Sequence, residues 1–346
     1  MSALQDNFSR VIDYLRISIT DRCNLRCLYC MPPGGVITSR HQDILTYEEI
    51  LRVAEIAAGL GVKKVRLTGG EPLTRKNISF LISSLKKIKG IEDLSLTTNG
   101  VYLAKYAREI ADAGLDRVNV SIDSFNPEKY AMITGGGNLD AVLKGLSAAG
   151  QTGLKPIKIN MVPIRGLNDD EIKTFAEMTF HSDYHVRFIE FMPSGSLDYW
   201  SPEKYITTDE MKVIIETIAP LTPVRMRRNG PSKYFMLKGA RGVVGFISAI
   251  THHFCRDCNR LRLTSDGKLR PCLFSETEID IRSSLRNSAP DSEIERLLRL
   301  SIEVKPEGHH IDGERSELIG RIQDKGCVAK SGPRTTYKRP MSKIGG

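Results

Sequence analysis

Three cysteines near the start of the chain have the spacing of a reactive metal site. Cys23, Cys27 and Cys30 follow the pattern Cys-x3-Cys-x2-Cys. Thiolates are the usual ligands of iron–sulfur clusters, so three of them can hold three irons of a [4Fe–4S] cube. With no fourth cysteine nearby, one iron would stay open to a ligand from outside the protein. The alternatives are a zinc knuckle, although zinc ligands usually come as two Cys-x2-Cys pairs, or three unrelated thiols.

A second cysteine triplet lies far along the chain. Cys255, Cys258 and Cys272 follow the pattern Cys-x2-Cys-x13-Cys. Asp266 and Gly267 form an Asp-Gly pair between alternating segments, which is a strong hairpin signal. Folding back there brings Cys272 towards the other two cysteines, so this triplet is also one ligand short of four.

The surroundings of the second triplet leave two interpretations open. His252 or His253 could complete a zinc site there. Arg260, Arg262 and Arg270 instead place positive charge beside the open position, which would suit a triphosphate.

Composition limits the class of protein. The formal net charge of +9 on 346 residues favours an acidic partner, whether nucleic acid, a phosphorylated small molecule or an anionic membrane. No apolar run approaches the ~20 residues of a membrane span, and residues 1–10 lack the apolar region of a signal peptide. Six of the seven cysteines fall in the two triplets, and Cys327 is expected to be a spare thiol. We therefore expect a cytoplasmic protein whose cysteines bind metal or act in catalysis.

The elements that must position the triplets alternate between strand and helix. Six strand-like runs are expected at residues 14–20, 63–68, 93–98, 117–123, 156–162 and 185–191. Thr46 and Glu49 form a capping box at the start of the first intervening helix. Strands separated by helices pair in parallel, so the pattern indicates a doubly wound sheet or an incomplete (β/α)6 barrel.

Most of these strands alternate apolar and polar residues, unlike parallel strands that are covered on both faces. One polar face per strand fits a barrel with an open, hydrated lumen. Arg16, Arg66 and Lys158 would then point inward and need anionic partners. Arg187 and Glu190 are out of phase with each other, which makes the sixth strand the least regular.

The segments after the strands are where a barrel active site forms. The first strand runs directly into the Cys23–Cys30 loop, and the second ends in Gly69-Gly70-Glu71-Pro72. Two glycines let a backbone approach a ligand closely, and Glu71 could accept a hydrogen bond from an ammonium group.

The cysteine loop, followed by Gly-Gly-Glu-Pro after the second strand, resembles the radical S-adenosylmethionine (SAM) superfamily. That resemblance implies that the open iron is chelated by SAM and that an electron from the cluster cleaves SAM to a 5′-deoxyadenosyl radical. It also implies a SAM site lined by Tyr29, Gly70, Ser121 and Met192, with Gly69 and Glu71 beside it.

The whole chain resembles one family within this superfamily, the GTP 3′,8-cyclases, through the two triplets, the Asn-Arg-Leu-Arg run 259–262 and the terminal Gly345-Gly346. The resemblance implies a second [4Fe–4S] cluster that binds the guanine of GTP through its open iron. It implies GTP contacts from Arg16, Arg66, Thr97, Lys158, Arg260, Leu261 and Arg262. It also implies that the Gly345-Gly346 tail reaches into the active site. Cyclisation of GTP between C3′ and C8 would begin molybdenum cofactor biosynthesis.

The expected architecture is an α/β incomplete (β/α)6 radical SAM barrel followed by a smaller C-terminal α+β domain that carries the second cluster. We place an N-terminal arm at residues 1–12, the barrel at 13–205, the cluster domain at 206–330 and a basic tail at 331–346. The expected partners are GTP, a flavodoxin- or ferredoxin-type reductant and the downstream cyclic pyranopterin monophosphate synthase. No nucleic acid or membrane partner is expected, and a homodimer is left open.

Two other hypotheses remain at this point. Another radical SAM enzyme with an auxiliary cluster would share the first half but would lack Arg260 and Arg262 beside the second triplet. A basic, zinc-containing nucleic-acid-binding protein would explain the charge. It would leave the barrel unexplained, and the aromatic residues do not cluster with basic ones as stacking platforms would.

Overall fold

The computed structural model describes residues 4–31, 35, 37–194, 199–226, 230–309 and 341–344. The strands are β1 Tyr14–Ser18, β2 Lys64–Thr68, β3 Asp93–Thr98, β4 Arg117–Ser121, β5 Lys158–Met161, β6 His185–Ile189, β7 Leu221–Val224, β8 Lys233–Leu237, β9 Val243–Ile247, β10 Arg260–Leu263, β11 Lys268–Arg270 and β12 Ile279–Asp280. The α-helices are α1 Tyr47–Gly59, α2 Ile78–Lys87, α3 Leu103–Asp112, α4 Pro127–Thr134, α5 Leu139–Gly150, α6 Ile172–His181, α7 Thr208–Glu216, α8 Arg282–Arg286, α9 Asp291–Glu303 and α10 Met341–Ile344. None of the helices in these ranges has the length and apolar character that a bilayer crossing requires.

All twelve strands belong to one sheet in the order β12-β11-β10-β1-β2-β3-β4-β5-β6-β9-β8-β7. The six strands β1 to β6 pair in parallel and in chain order. The predicted alternation of strands and helices is therefore confirmed, and the α/β fold class with it.

The C-terminal part of the chain extends both edges of the parallel sheet. β10 pairs in parallel with β1 through the register Leu15↔Leu261. β9 pairs in parallel with β6 through Phe188↔Phe246. The strands of the C-terminal segment thus continue the barrel sheet and do not form a sheet of their own. This pairing also carries the second cysteine triplet to the edge beside β1.

Alternation along the strands separates an apolar outer face from a polar inner face. Leu15 and Ile17 on β1 are fully buried in the main hydrophobic core, whereas Arg16 between them lines an inner cavity. Strand β6 obeys the same rule, since Val186 and Phe188 lie in the core and Arg187 faces the cavity. The expected irregularity of this strand concerns only Glu190, which follows the strand end.

The hairpin and the helix cap predicted from the sequence are both present. Gly267 lies in the turn between β10 and β11 with φ +75°, a conformation that glycine adopts at little cost. At the start of α1, Glu49 N donates to Thr46 Oγ1 at 3.2 Å, and Thr46 N donates to the Glu49 carboxylate at 2.7 Å. This capping box fixes where α1 begins after the cysteine loop.

Replacing Thr46 with Ala should lower the free energy of unfolding by about 1 kcal/mol, because it removes a side-chain acceptor from the first turn of α1. Thr46→Ser keeps the hydroxyl and should lose much less. Urea unfolding followed by circular dichroism measures both. Equal losses in the two variants would show that the hydroxyl is not what matters at this position.

Candidate active site

A cavity of about 340 Å³ lies against the inner face of the sheet. Its lining contains eighteen of the residues predicted from the sequence: Arg16, Cys23, Cys27, Tyr29, Cys30, Arg66, Gly69, Gly70, Glu71, Thr97, Ser121, Lys158, Met192, Cys255, Cys258, Arg260, Arg262 and Cys272. The fold thus brings the two cysteine triplets, far apart in the chain, to the same cavity.

The first triplet lies on a loop that is fastened to helix α4. Arg26 N donates to Thr134 O at 2.8 Å, and Leu28 N donates to Ile133 O at 2.9 Å. Burial raises the pKa of Cys30 to about 12, with the neighbouring thiol of Cys23 adding to the effect. Buried thiols that raise one another's pKa suit a metal cluster, because bound metal ions stabilise the thiolate form.

Gly69 and Gly70 have a structural role that was not predicted from the sequence. A Cβ atom on Gly70 would lie 2.2 Å from the carbonyl oxygen of Arg22, and one on Gly69 would lie 2.7 Å from that of Thr20. The absence of side chains lets Gly70 N donate to Thr20 O at 2.7 Å. The close approach that these glycines permit is therefore to the backbone at the start of the cysteine loop.

Glu71 is a buried carboxylate already bound by protein donors. It accepts from Leu73 N at 3.0 Å, from Thr98 Oγ1 at 2.7 Å and from Asn99 N at 2.7 Å. Burial raises its pKa to about 7. Glu71 thereby ties the ends of β2 and β3 together, and its contact with an ammonium group stays a prediction.

Asn99 and Asp123 belong to the site but were not selected from the sequence. Asn99 Nδ2 donates to Asn24 Oδ1 at 2.9 Å and lies 3.9 Å from the sulfur of Cys23. The Tyr29 hydroxyl donates to Asp123 Oδ2 at 2.6 Å, and burial raises the pKa of Asp123 to about 6. Asn99 directly follows β3 and Asp123 lies two residues after β4, at positions where barrel side chains reach the active site.

The second triplet has a more positive environment than the first. Burial acts to raise the pKa of Cys258, but the charges of Arg260 and Lys305 outweigh it and lower the pKa to about 6. His253 lines the same cavity. His252 instead pairs with Asp209 at 2.9 Å on an exposed surface.

Basic side chains cover the inner face between the triplets. Burial lowers the pKa of Lys158 to about 6, and the charges of Arg187 and Arg117 lower it further. Burial likewise lowers the pKa of Arg66 to about 10. Like charges crowded together out of water disfavour one another's charged forms, so this surface would be stabilised by an anion.

Three further basic residues on this face, Lys64, Arg117 and Arg187, were not selected from the sequence. Arg117 pairs with Asp93 at 2.5 Å, and Lys64 pairs with Asp13 at 2.9 Å. Arg187 Nη2 donates to Asn119 at 2.9 Å, while its Nε is buried with no hydrogen-bond partner within the described ranges. Their strand positions alternate in phase with Arg16 and Arg66, and that periodicity was the available signal.

Comparison with known proteins identifies the family. The family described as "Radical SAM superfamily" matches residues 17–179, and that described as "Molybdenum Cofactor Synthesis C" matches residues 184–311. The GTP 3′,8-cyclase of Thermodesulfovibrio yellowstonii is 52% identical over 88% of this chain and 95% of its own length. That of Moorella thermoacetica is 49% identical over 89% of this chain and 96% of its own. The chain belongs to the GTP 3′,8-cyclase family.

Solved structures agree with the radical SAM fold. Streptococcus suis SuiB bound to S-adenosylmethionine has a TM-score of 0.58 at 14% identity, covering 78% of this chain and 64% of SuiB. Native anSMEcpe with bound AdoMet has a TM-score of 0.51 at 14% identity, covering 86% of this chain and 81% of its own. At these identities the likeness shows the fold alone. Membership of the radical SAM superfamily implies a [4Fe–4S] cluster and SAM.

Of the described residues expected from the family resemblance, Leu261 is not in the cavity lining. The side chain of Leu261 is 1% exposed and lies in the hydrophobic core, so any substrate contact at this position would have to come from its backbone. Gly345 and Gly346 lie outside the described residues, as does Cys327. Just before the two glycines, Met341 and Ser342 of α10 line the cavity.

Replacing Gly70 with Ala should lower the free energy of unfolding by about 1–3 kcal/mol, because the new methyl group overlaps a backbone carbonyl. It should also reduce the iron held by the first triplet, since the cysteine loop must move. Thermal unfolding and iron analysis of anaerobically prepared protein measure the two effects.

Gly59→Ala is the matched control, since a Cβ there would meet nothing within 4 Å at the exposed end of α1. It should leave both quantities unchanged or raise stability by up to about 1 kcal/mol. If Gly70→Ala behaves like Gly59→Ala, the steric argument is wrong.

Proposed function

We propose that this protein is a GTP 3′,8-cyclase that converts GTP to (8S)-3′,8-cyclo-7,8-dihydroguanosine 5′-triphosphate, the first step of molybdenum cofactor biosynthesis. One observation carries the proposal. The lining of one cavity contains both cysteine triplets together with the basic side chains of the inner face. This arrangement suits a substrate that presents a triphosphate to the basic face and reaches both metal sites.

In this proposal Cys23, Cys27 and Cys30 hold the first [4Fe–4S] cluster, and Tyr29, Gly70, Ser121 and Met192 line the SAM site. When bound, the cluster and SAM would supply a 5′-deoxyadenosyl radical able to abstract hydrogen from the ribose C3′ of GTP. The protein holds the loop in place through Glu71, Asn99 and the Tyr29–Asp123 hydrogen bond. Gly69 and Glu71 lie beside the SAM site and hold the cysteine loop in position.

GTP is proposed to bind through charge and through the second metal site. Arg16, Arg66 and Lys158 on the inner face, together with Arg260 and Arg262, would neutralise the triphosphate, because buried cations gain most from an anionic partner. Thr97 and the backbone of Leu261 are proposed to make the remaining contacts with GTP.

Cys255, Cys258 and Cys272 are proposed to hold a second [4Fe–4S] cluster whose open iron binds the guanine. Three cysteines on one cavity wall, with positive charge beside Cys258, fit this role because a cluster held by thiolates carries negative charge. The Gly345-Gly346 tail is proposed to reach the site, consistent with Met341 and Ser342 at its edge.

The proposed reaction also requires partner proteins that bind outside the cavity. The cluster needs a one-electron reductant of the flavodoxin or ferredoxin type, and the product would pass to a cyclic pyranopterin monophosphate synthase. We propose a cytoplasmic location, in keeping with reduced cysteines.

Anaerobic protein with dithionite, SAM and GTP should release 5′-deoxyadenosine, and GTP deuterated at C3′ should transfer deuterium to it, because the radical abstracts hydrogen from that carbon. Mass spectrometry of the 5′-deoxyadenosine measures the transfer. Unlabelled product, or turnover that is indifferent to GTP, would contradict the assignment.

Iron analysis gives an independent check, with about eight irons per chain expected for two cubes. Stoichiometric zinc would instead favour the nucleic-acid-binding alternative.

Binding of GTP at pH 8 should take up protons through Lys158. With a pKa of about 6 in the free protein, the amine is mostly neutral at pH 8. A triphosphate beside it favours the ammonium form, so binding should add up to about one proton. Calorimetry in buffers of different ionisation enthalpy measures this number, which should fall towards zero at pH 5, where the amine is already protonated.

Lys158→Arg is the matched control, because arginine stays charged at both pH values. It should still bind GTP but should show no pH-dependent uptake from this position. Uptake in Lys158→Arg equal to that of the unaltered protein would assign the proton to another group.

A further inference from the structure

A buried lysine beyond α9 lies against the second cysteine triplet and has no part in the function proposed above. Lys305 is 4% exposed. Its Nζ donates to Arg260 O at 2.9 Å and to Pro271 O at 2.6 Å. Arg260 is two residues after Cys258, and Pro271 directly precedes Cys272. One ammonium group therefore joins the two backbone segments that carry two of the three thiols.

An arginine from the N-terminal arm joins the third cysteine, Cys255, to the chain that directly follows Lys305. Arg10 is 7% exposed. Its Nη1 donates to Cys255 O at 2.7 Å and to Glu307 O at 2.8 Å, and its Nη2 donates to Pro306 O at 2.6 Å. The chain directly after Lys305 is thus held in place by a contact that also holds Cys255.

Arg10 and Lys305 differ in whether an anionic side chain pairs with their charge. Arg10 forms a buried ion pair with Asp6 at 2.5 Å. The two hydrogen-bond acceptors of Lys305 are neutral carbonyls, and negative charge on the sulfurs of Cys258 and Cys272 would favour its ammonium form most. A buried cation is costly unless it has an anionic partner. At this position the partner would be the cluster, whose reduced form carries one more negative charge than its oxidised form.

We propose that Lys305 is a positioning residue for the second cluster: it sets the spacing of the Cys258 and Cys272 segments and raises the reduction potential of the cluster with its charge. Charge and hydrogen bonding around the ligands are recognised controls of iron–sulfur potentials. The proposal rests on the second cluster of the proposed function.

The test uses the full chain with Cys23, Cys27 and Cys30 replaced by Ser, so that only the second cluster contributes. Lys305→Met removes the charge and both donors while keeping a long side chain. Lys305→Arg keeps the charge and the donors. Lys86→Met removes a lysine on α2 that pairs with Asp116 at 2.6 Å, away from both triplets. Each variant is prepared anaerobically for iron analysis, thermal unfolding and a redox titration followed by electron paramagnetic resonance.

We expect Lys305→Met to shift the potential to more negative values, or to lose the second cluster while the chain still unfolds cooperatively. Lys305→Arg should keep the cluster with a potential closer to that of the unaltered protein, and Lys86→Met should match the unaltered protein. The proposal is overturned if Lys305→Met keeps the cluster at an unchanged potential. It is also overturned if Lys305→Arg is affected as strongly as Lys305→Met, or if Lys86→Met shows the same shift.

The iron content of the parent chain separates this proposal from the one it rests on. About four irons in the Cys23, Cys27 and Cys30 background would support the second cluster, and the Lys305 variants then test the lysine alone. A background without iron would refute the second cluster itself.

Discussion

The accumulation of basic side chains on one buried face is the constraint on which the rest of this structure depends. Arg16, Arg66, Lys158 and Arg187 lie on neighbouring strands and face one cavity. Removing such groups from water costs free energy, and their mutual repulsion adds to that cost. The fold tolerates the arrangement because the opposite face of each strand is packed into a large apolar core. The result is a cavity suited to a polyanion.

The meeting of the two cysteine triplets depends on where the sheet is extended. Because β10 pairs in parallel with β1, the strand that follows Cys258 lies beside the strand that leads to Cys23. The two triplets therefore share one cavity although more than two hundred residues separate them in the chain. On the opposite edge, β9 pairs with β6 and keeps Arg187 on the inner face.

The two triplets differ in what surrounds them. The first is held by backbone contacts and by a hydrogen-bonded network of neutral and acidic groups, in which Glu71 and Asp123 have raised pKa values. The second is surrounded by cations, and the pKa of Cys258 is lowered. The two triplets therefore differ in the charge of the groups around them.

The sequence by itself determined the residue types, the order of the elements and the alternation of the strands. Cysteine spacing and the period of two along a strand are local properties, and for that reason both triplets and the inward direction of Arg16, Arg66 and Lys158 could be predicted. Only the tertiary structure decided which groups within the chain these residues contact. The contact of Gly70 with the Arg22 backbone, the use of Glu71 by Asn99 and the bridge from Lys305 to both cysteine segments join residues far apart in the chain. No local pattern encodes such contacts, because they exist only once β1 has paired with β2, β2 with β3 and β10 with β11.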